Sequence, residues 1–433
     1  MVITTQDTKL KPGYKQTEVG VIPEDWKVTK LGEVADVKTG PFGSALHEKD
    51  YVDDGTPIIT VEHLGEQGVV YVNLPMVSDL DRKRLKAYSL LKGDIVFSRV
   101  GSVDRNSLIK EEESGWLFSG RLLRIRVKTS DIYSSFLSYY FNQEHTKQRI
   151  RAVAVGQTMA SLNTQILRNI DIAFPPTKSE QKAIATTLSD VDALITSLDR
   201  LIAKKRDIKQ ATMRQLLTGK TRLPGFSDEW KVKKLGEIFQ FLSTANNSRS
   251  DLSENGEIKY IHYGDIHMKW RSFLDCSGDE LPLIQKDKVR NVPFLEDGDL
   301  VMADASEDYE GLGISIEVKN ATGKKVVAGL HTFLLRGDKE VLADGFKGYL
   351  QYIPAVKDSL KKAATGISVY GISKNNVRNI SICLPDTTEQ CAIAAILSDM
   401  DAEIAALAQR CDKMRALKLG MMQELLSGKT RLI

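Results

Sequence analysis

Cysteine is scarce in this chain. Cys276, Cys383, Cys391 and Cys411 are the only four in 433 residues, and no two form a CxxC pair. That spacing excludes a disulfide framework and a cysteine-built zinc site, and points to reduced thiols. Histidine is almost as rare, at six. His262 and His267 share the segment HYGDIH, a spacing that suits neither one helix face nor one strand face, so both read as structural. No apolar run approaches the ~20 residues that cross a bilayer. The polar start MVITTQDTKLKPGYK lacks the apolar segment of a secretory signal. The expectation is a cytoplasmic protein with no membrane contact. Charge is nearly balanced, 60 Lys+Arg against 57 Asp+Glu, so any surface for nucleic acid must be local.

Catalytic signatures are missing as well. GKT occurs twice, at Gly219 and Gly428, and invites a nucleotide reading. A phosphate-binding loop needs Gly-x4-Gly-Lys at the start of a helix. Here Arg214 and Gln423 stand where the first glycine is needed, and both segments follow a helix. There is no Gly-x-Gly-x-x-Gly run, and the only Pro-Pro, in FPPT, is not the adenine-methyltransferase type. Glu317-Val-Lys319 is too common a tripeptide to argue for a nuclease.

What the chain has is repetition. PEDWKVTKLGEV (from Pro23) returns as SDEWKVKKLGEI (from Ser227), and KGDIVFS (from Lys92) as DGDLVMA (from Asp297). RNIDIAFP (from Arg168) returns as RNISICLP, EQKAIATTLSDVDALI (from Glu180) as EQCAIAAILSDMDAEI, and LLTGKTRL as LLSGKTRL. Two copies in one order, offset by about 204 to 210 positions, predict two similar halves. Agreement is poor from Lys38 to Gly156 and from Ser243 to Gly366, so the halves share a scaffold and differ in the middle.

After each proline the pattern turns helical. Thr177 to Glu180 and Asp386 to Glu389 read as capping boxes. Apolar residues then recur in steps of three and four: Leu188, Val191, Ile195, Leu198 and Ile202, and Met400, Ile404, Leu407, Cys411, Met414, Met421 and Leu425, with Lys418 interrupting. Such a stripe marks a coiled-coil seam. Gly219 and Gly428 end the two helices, each about 60 Å long at 1.5 Å per residue. Buried helices of a bundle are the alternative. Equal halves related by a pseudo-two-fold would set the helices antiparallel and the globular parts at opposite ends.

Each globular part mixes strands (VADVKTG, GTPIIT, GDIVFS, LLRIRV in the first) with one helix, Asp131 to Ala154 and Phe346 to Ala364. Polar loops follow, GQTMASLNTQ and GISVYGISKN. Amides there could pair with adenine and basic groups with guanine or phosphate, while Asn163 and Ser373 also fit plain helix caps. The candidate DNA contacts of the first part are Lys38, Arg99, Arg105, Arg121, Arg124, Lys147, Arg151, Gln157 and Asn163. Those of the second are Arg249, Lys269, Arg271, Lys357, Lys361, Lys374 and Asn375. No catalytic or metal-ligating set emerges.

The opening GYKQTEVGVIPEDWKVTKLGEV, the twin EQxAIAxxLSDxDAxI helix starts and the twin LL-x-GKTRL ends resemble the specificity subunit of type I restriction–modification enzymes, over essentially the whole chain. The resemblance implies an α+β chain: two similar mixed α/β target-recognition domains, separated by two long helices forming an antiparallel coiled coil, with pseudo-two-fold symmetry. Residues 1–174 and 223–384 would be the recognition domains, and 175–222 and 385–433 the helices. Each domain would read half of a split, asymmetric site on double-stranded DNA. The helices would set the spacing and dock two methyltransferase subunits, which restriction/translocase subunits join. S-adenosylmethionine, ATP and Mg would belong to those partners and no cofactor to this chain, itself non-catalytic. The competing readings are an enzyme with its own unrecognised site, a nuclease or methyltransferase, and an assembly scaffold whose heads bind protein.

Overall fold

The computed structural model describes residues 10–41, 46–66, 68–156 and 160–432. It comprises two compact units. One joins Met1–Asp199 to Gln409–Ile433, and the other is the continuous segment Arg200–Ala408.

Both units are built on one frame. In the first, an antiparallel sheet runs Asn106–Leu108, Ile95–Ser98, Leu122–Val127, Ala35–Thr39. In the second the order is Phe273–Asp275, Ser315–Lys319, Leu300–Ala303, Thr332–Gly337, Phe239–Leu242, with the first of these added in parallel. Each central strand pair is locked by an ion pair between a buried aspartate and a half-buried arginine. Asp94 holds Arg126 at 2.6 Å and Asp299 holds Arg336 at 2.8 Å. Each aspartate also accepts a backbone N–H at 2.8 Å, from Leu91 and Glu296 respectively. That is why Gly-Asp is written twice. A strand from the WKV segment pairs with one from the RNI segment in both units, Lys27–Lys30 with Asp171–Phe174 and Lys231–Lys234 with Ser381–Leu384. Gly32 and Gly236 let the turns come close: a Cβ on either would lie 3.0 Å from the Cβ of Arg168 or Arg378.

The predicted head helices are each broken once. Asp131 to Ala154 forms Ser134–Asn142 and Glu144–Val153, with Gln143 extended between them. Phe346 to Ala364 forms a 3-10 turn, Lys347–Tyr352, then Pro354–Lys362. Pro354 forces Ile353 out of the helical region, which accounts for the second break. Nothing in the structure explains the first.

The long helices are Lys178–Leu216 and Thr387–Leu425, 39 residues each, or about 58 Å at 1.5 Å per residue. In the first unit Asp192 meets Lys418 at 2.7 Å and Asp199 meets Arg415 at 2.7 Å. In the second Lys205 meets Glu403 at 2.6 Å and Lys209 meets Asp401. Partner numbers fall as the others rise, so the helix segments are antiparallel in each unit. Of the expected seam, Leu188, Ile195, Leu198, Ile202, Cys411 and Leu425 are buried. Val191, Met400, Ile404, Leu407, Met414 and Met421 are half-buried, as a narrow two-helix seam leaves them. Lys418 does not interrupt the seam; it is only 13% exposed and pairs with Asp192.

The capping boxes are half right. Thr177 and Asp386 accept the N–H of Glu180 and Glu389, at 3.4 and 2.9 Å. The glutamates do not reach back to the caps, because arginine from the opposite GKTRL segment claims both. Arg431 binds Glu180 through two nitrogens at 2.5 and 2.8 Å and also holds Asp25 at 2.8 Å. Arg222 binds Glu389 through two nitrogens at 2.7 Å. Each unit is therefore closed where one long helix begins and the other ends. The neighbouring Gln181 and Gln390, fully buried, each tie three backbone groups of the preceding loops.

Candidate nucleic-acid interface

Beyond the frame, three loops of each head meet at one edge of the sheet. In the first head the N–H of Arg99 donates to Arg121 O at 3.0 Å, and Leu162 donates to Arg99 O at 2.8 Å. In the second, the N–H of Asp304 donates to His331 O at 3.1 Å, and Ile372 donates to Asp304 O at 2.9 Å. The same two backbone bonds thus place different side chains at equivalent points: Arg99 and Arg121 in one head, Asp304 and His331 in the other. These identities on one frame give the two edges different electrostatic character, two cations in one and a carboxylate–imidazole pair in the other.

The first edge is rich in arginine. Arg99 reaches Gly120 O at 3.4 Å and Arg105 binds Leu64 O. Arg121 is exposed, and its guanidinium has no partner among the described residues. Arg151 pairs with Asp104 at 2.5 Å and Glu144 at 3.0 Å, and Lys147 with Glu66 at 3.0 Å. Lys38 donates to Ala87 O at 2.7 Å over the Tyr88 ring. Arg124 is 5% exposed and bound to Asp36 at 2.8 Å, so its charge is spent inside the sheet. Asn163 caps the helix Thr164–Arg168 by accepting from Ile166 N at 2.8 Å. Gln157 lies outside the described residues.

The second edge is aromatic. His331 Nδ1 lies 3.3 Å from Asp304 Oδ1, and burial raises the Asp304 carboxyl, an effect His331 partly offsets. His331 holds a left-handed backbone, φ 56°, which a non-glycine residue seldom adopts without compensation. Tyr263 packs on His262, His331 and His267 with ring centres 4.7, 5.3 and 6.3 Å away. His267 Nε2 bonds Ala305 O at 3.0 Å, and His262 caps Tyr263–Met268, so both histidines are structural. Burial, then the Arg249 charge, lowers the His262 imidazole. Ala305–Ser306 pairs with Tyr370–Gly371, and Tyr309 stacks on Tyr370 at 3.9 Å.

Here too most predicted cations are occupied. Arg249 and Lys269 share Asp265 at 3.2 and 3.3 Å, and Lys357 and Lys361 share Glu310. Lys374 donates to Phe241 O at 3.2 Å. Arg271 and Asn375 are exposed, and neither side chain has a partner among the described residues. Sequence reasoning missed Asp304, His331, Tyr309 and Tyr370. The signal that could have found the first two was the offset itself, which sets them against Arg99 and Arg121.

Glu317 is buried and accepts the N–H groups of Gly345 and Gly348 at 2.5 and 2.8 Å. Among the described residues no group of three His, Cys, Asp or Glu could hold a metal, and no helix is long and apolar enough to cross a membrane.

Comparison with known proteins accords with this frame. Residues 23–205 match the type I restriction modification DNA specificity domain. The chain is 28% identical to a putative type I restriction enzyme specificity subunit, MjaX, of Methanocaldococcus jannaschii, covering 100% of this chain and 99% of that one. It is 24% identical to the EcoEI specificity subunit of Escherichia coli over 38% of this chain and 29% of that one. In fold it is similar to the crystal structure of the type I system S subunit from M. genitalium, with a TM-score of 0.56 at 16% identity, covering 92% of this chain and 96% of that one. A second structure, from work on assembly and conformational transition of the type I system, gives the same TM-score over 94% and 99%. A duplicated frame, helix starts clasped by the opposite helix ends and an end-to-end likeness make the chain similar, over its whole length, to specificity subunits of type I restriction–modification enzymes.

Proposed function

We propose that this chain is the DNA-recognition subunit of a type I restriction–modification complex. Each head reads one half of a split site on double-stranded DNA. Residues 1–174 and 223–384 carry the recognition, and 175–222 and 385–433 set the spacing and dock two methyltransferase subunits. Restriction/translocase subunits join that core. S-adenosylmethionine, ATP and Mg belong to the partners.

One observation carries the asymmetry of the site. Equivalent backbone bonds present Arg99 and Arg121 in one head and Asp304 and His331 in the other. Arginine suits the N7 and O6 acceptors of guanine, whereas a carboxylate accepts from cytosine N4. Two edges so different cannot prefer one half-sequence. Among the described residues, Arg121, Arg271 and Asn375 are predicted contacts free to reach DNA without first breaking a partner; the other lysines and arginines would exchange an internal carboxylate or carbonyl for phosphate.

The test is site selection from random duplexes by the chain assembled with its methyltransferase partner. The expected product is a bipartite site with unlike halves and a fixed gap. A continuous or palindromic site would refute the proposal.

A further inference from the structure

The second head carries a feature that phosphate binding leaves unexplained. The segment Thr365–Gly371 is a tight hairpin: Thr365 N donates to Gly371 O at 3.0 Å and Gly371 N to Thr365 O at 2.7 Å. Gly366 sits at φ 127°, and a Cβ there would lie 2.0 Å from Val369 O, so only glycine fits the turn. The hairpin is anchored to the edge proposed to face DNA by the pairing of Tyr370–Gly371 with Ala305–Ser306 and by the Tyr309–Tyr370 stack. Its tip projects Ile367, 93% exposed, and Val369, 58% exposed, with Ser368 between them.

Two branched aliphatic side chains at a fixed tip gain nothing from phosphate, which favours charge and N–H donors. The base edges of the major groove offer one apolar group, the C5-methyl of thymine. The surroundings lean positive: Pro354 to Asn375 holds four lysines (357, 361, 362 and 374) against one aspartate (358), and Glu310, shared by Lys357 and Lys361, leaves a net +2. In sequence, the first head has Gln157 where the second has Ile367, and Met159 where the second has Val369, counted from the shared glycines Gly156 and Gly366. The residue that follows the glycine is therefore polar in one head and aliphatic in the other.

We propose that Ile367, supported by Val369, selects thymine in the half-site read by the second head by packing against its methyl group. This rests on the reading of the heads as DNA-recognition modules. The experiment uses the full chain assembled with the methyltransferase subunit and a duplex carrying the selected site. Replacing the thymines of the second half-site with deoxyuridine removes only methyl groups. It should weaken binding about fourfold for each methyl group that the tip touches, while the same replacement in the first half-site leaves it unchanged. Ile367→Ala should weaken binding to the thymine duplex similarly and become indifferent to the deoxyuridine exchange. An exposed residue should leave the melting temperature unchanged. Wild-type binding that ignores deoxyuridine, a second half-site without thymine, or an I367A defect in methyltransferase assembly instead of DNA binding would each overturn the proposal. If the wild-type complex prefers its site over an unrelated duplex but ignores deoxyuridine, the tip assignment alone fails. If it shows no sequence preference, the reading of the heads fails with it.

Discussion

Lys418 reaches Asp192 at 2.7 Å inside the first unit, and Tyr139 donates its hydroxyl to the same carboxylate at 2.8 Å. The second unit repeats the cluster with Lys209, Asp401 and Tyr349, the hydroxyl at 3.0 Å. The lysine comes from the C-terminal helix in one unit and from the central helix in the other. Burial, then the aspartate charge, pushes both tyrosine hydroxyls well above their ordinary range, so they remain donors across any usable pH.

The two clusters differ in exposure, and so should their mutants. Asp192 is 9% exposed and Asp401 41%. Lys418→Ala leaves a buried carboxylate without its cation and should cost about 3–5 kcal/mol. Lys209→Ala exposes a carboxylate that water already reaches and should cost about 1 kcal/mol or less. Urea denaturation of the two variants would show whether the first cost exceeds the second.

The helix-end clasps give a second contrast. Arg222→Ala leaves Glu389, a fully buried group, with only the Trp230 indole at 3.1 Å. Arg431→Ala strands Glu180 and frees Asp25, whose carboxyl Arg431 holds below its usual range. Each substitution should destabilise its unit by about 2–5 kcal/mol. Lysine, which lacks the planar fork, should restore only part. Thermal unfolding of R222A, R222K, R431A and R431K would measure this; full rescue by lysine would contradict the two-nitrogen geometry.

Gly219 and Gly428 both sit in the left-handed region, at φ 66° and 72°. Alanine at either should cost about 1–2 kcal/mol from the backbone alone. At Gly428 the new methyl would also lie 2.5 Å from Pro23 and 3.0 Å from Trp26, against 3.4 Å from Trp230 at Gly219. G428A should therefore be the more damaging of the pair, as read from relative melting temperatures.

Glu310 lies between Lys357 and Lys361, and the Lys357 hydrogen bond, then that of Lys361, draws its carboxyl down to about 2 from 4.5. A depressed carboxyl contributes stability above the unfolded value that is lost as pH falls through the folded one. The tether of the second head's basic helix should thus hold below pH 4.5 and release near pH 2. Side-chain NMR titration should find the midpoint there, and Lys357→Met should raise it more than Lys361→Met.

The repeated words of the sequence were legible because each meets a structural demand made once in each unit, in the sheet or in the clasp. The glutamate and glutamine of the EQ pair, the tryptophan of the WKV segment and the arginine of KTRL belong to the same closure, and that demand is met twice. The strand LLRIRV appears with the bounds its alternation suggested, Leu122–Val127. The candidate interface was less legible. A basic residue read alone gives no sign of its partner, and Glu310 is 51 positions from Lys361, as Glu66 is 81 from Lys147. Arg124 is the sharpest case, since its alternation in the strand left its burial against Asp36 invisible. Lys418 shows the same limit within a helix: spacing marks which face is covered, not whether a charge waits on the other side.

The clasp of Arg431 onto Glu180 and Asp25 also orders events in time. The second unit is a continuous stretch, Arg200–Ala408, and its last clasp residue, Glu389, is made well before Arg431 is added. The first unit needs Gln409 to Arg431 before its helix pair and its clasp can form. Domains ordinarily mature in the order of synthesis. Here the half that is translated first must wait, its apolar face open, until the second half has been made.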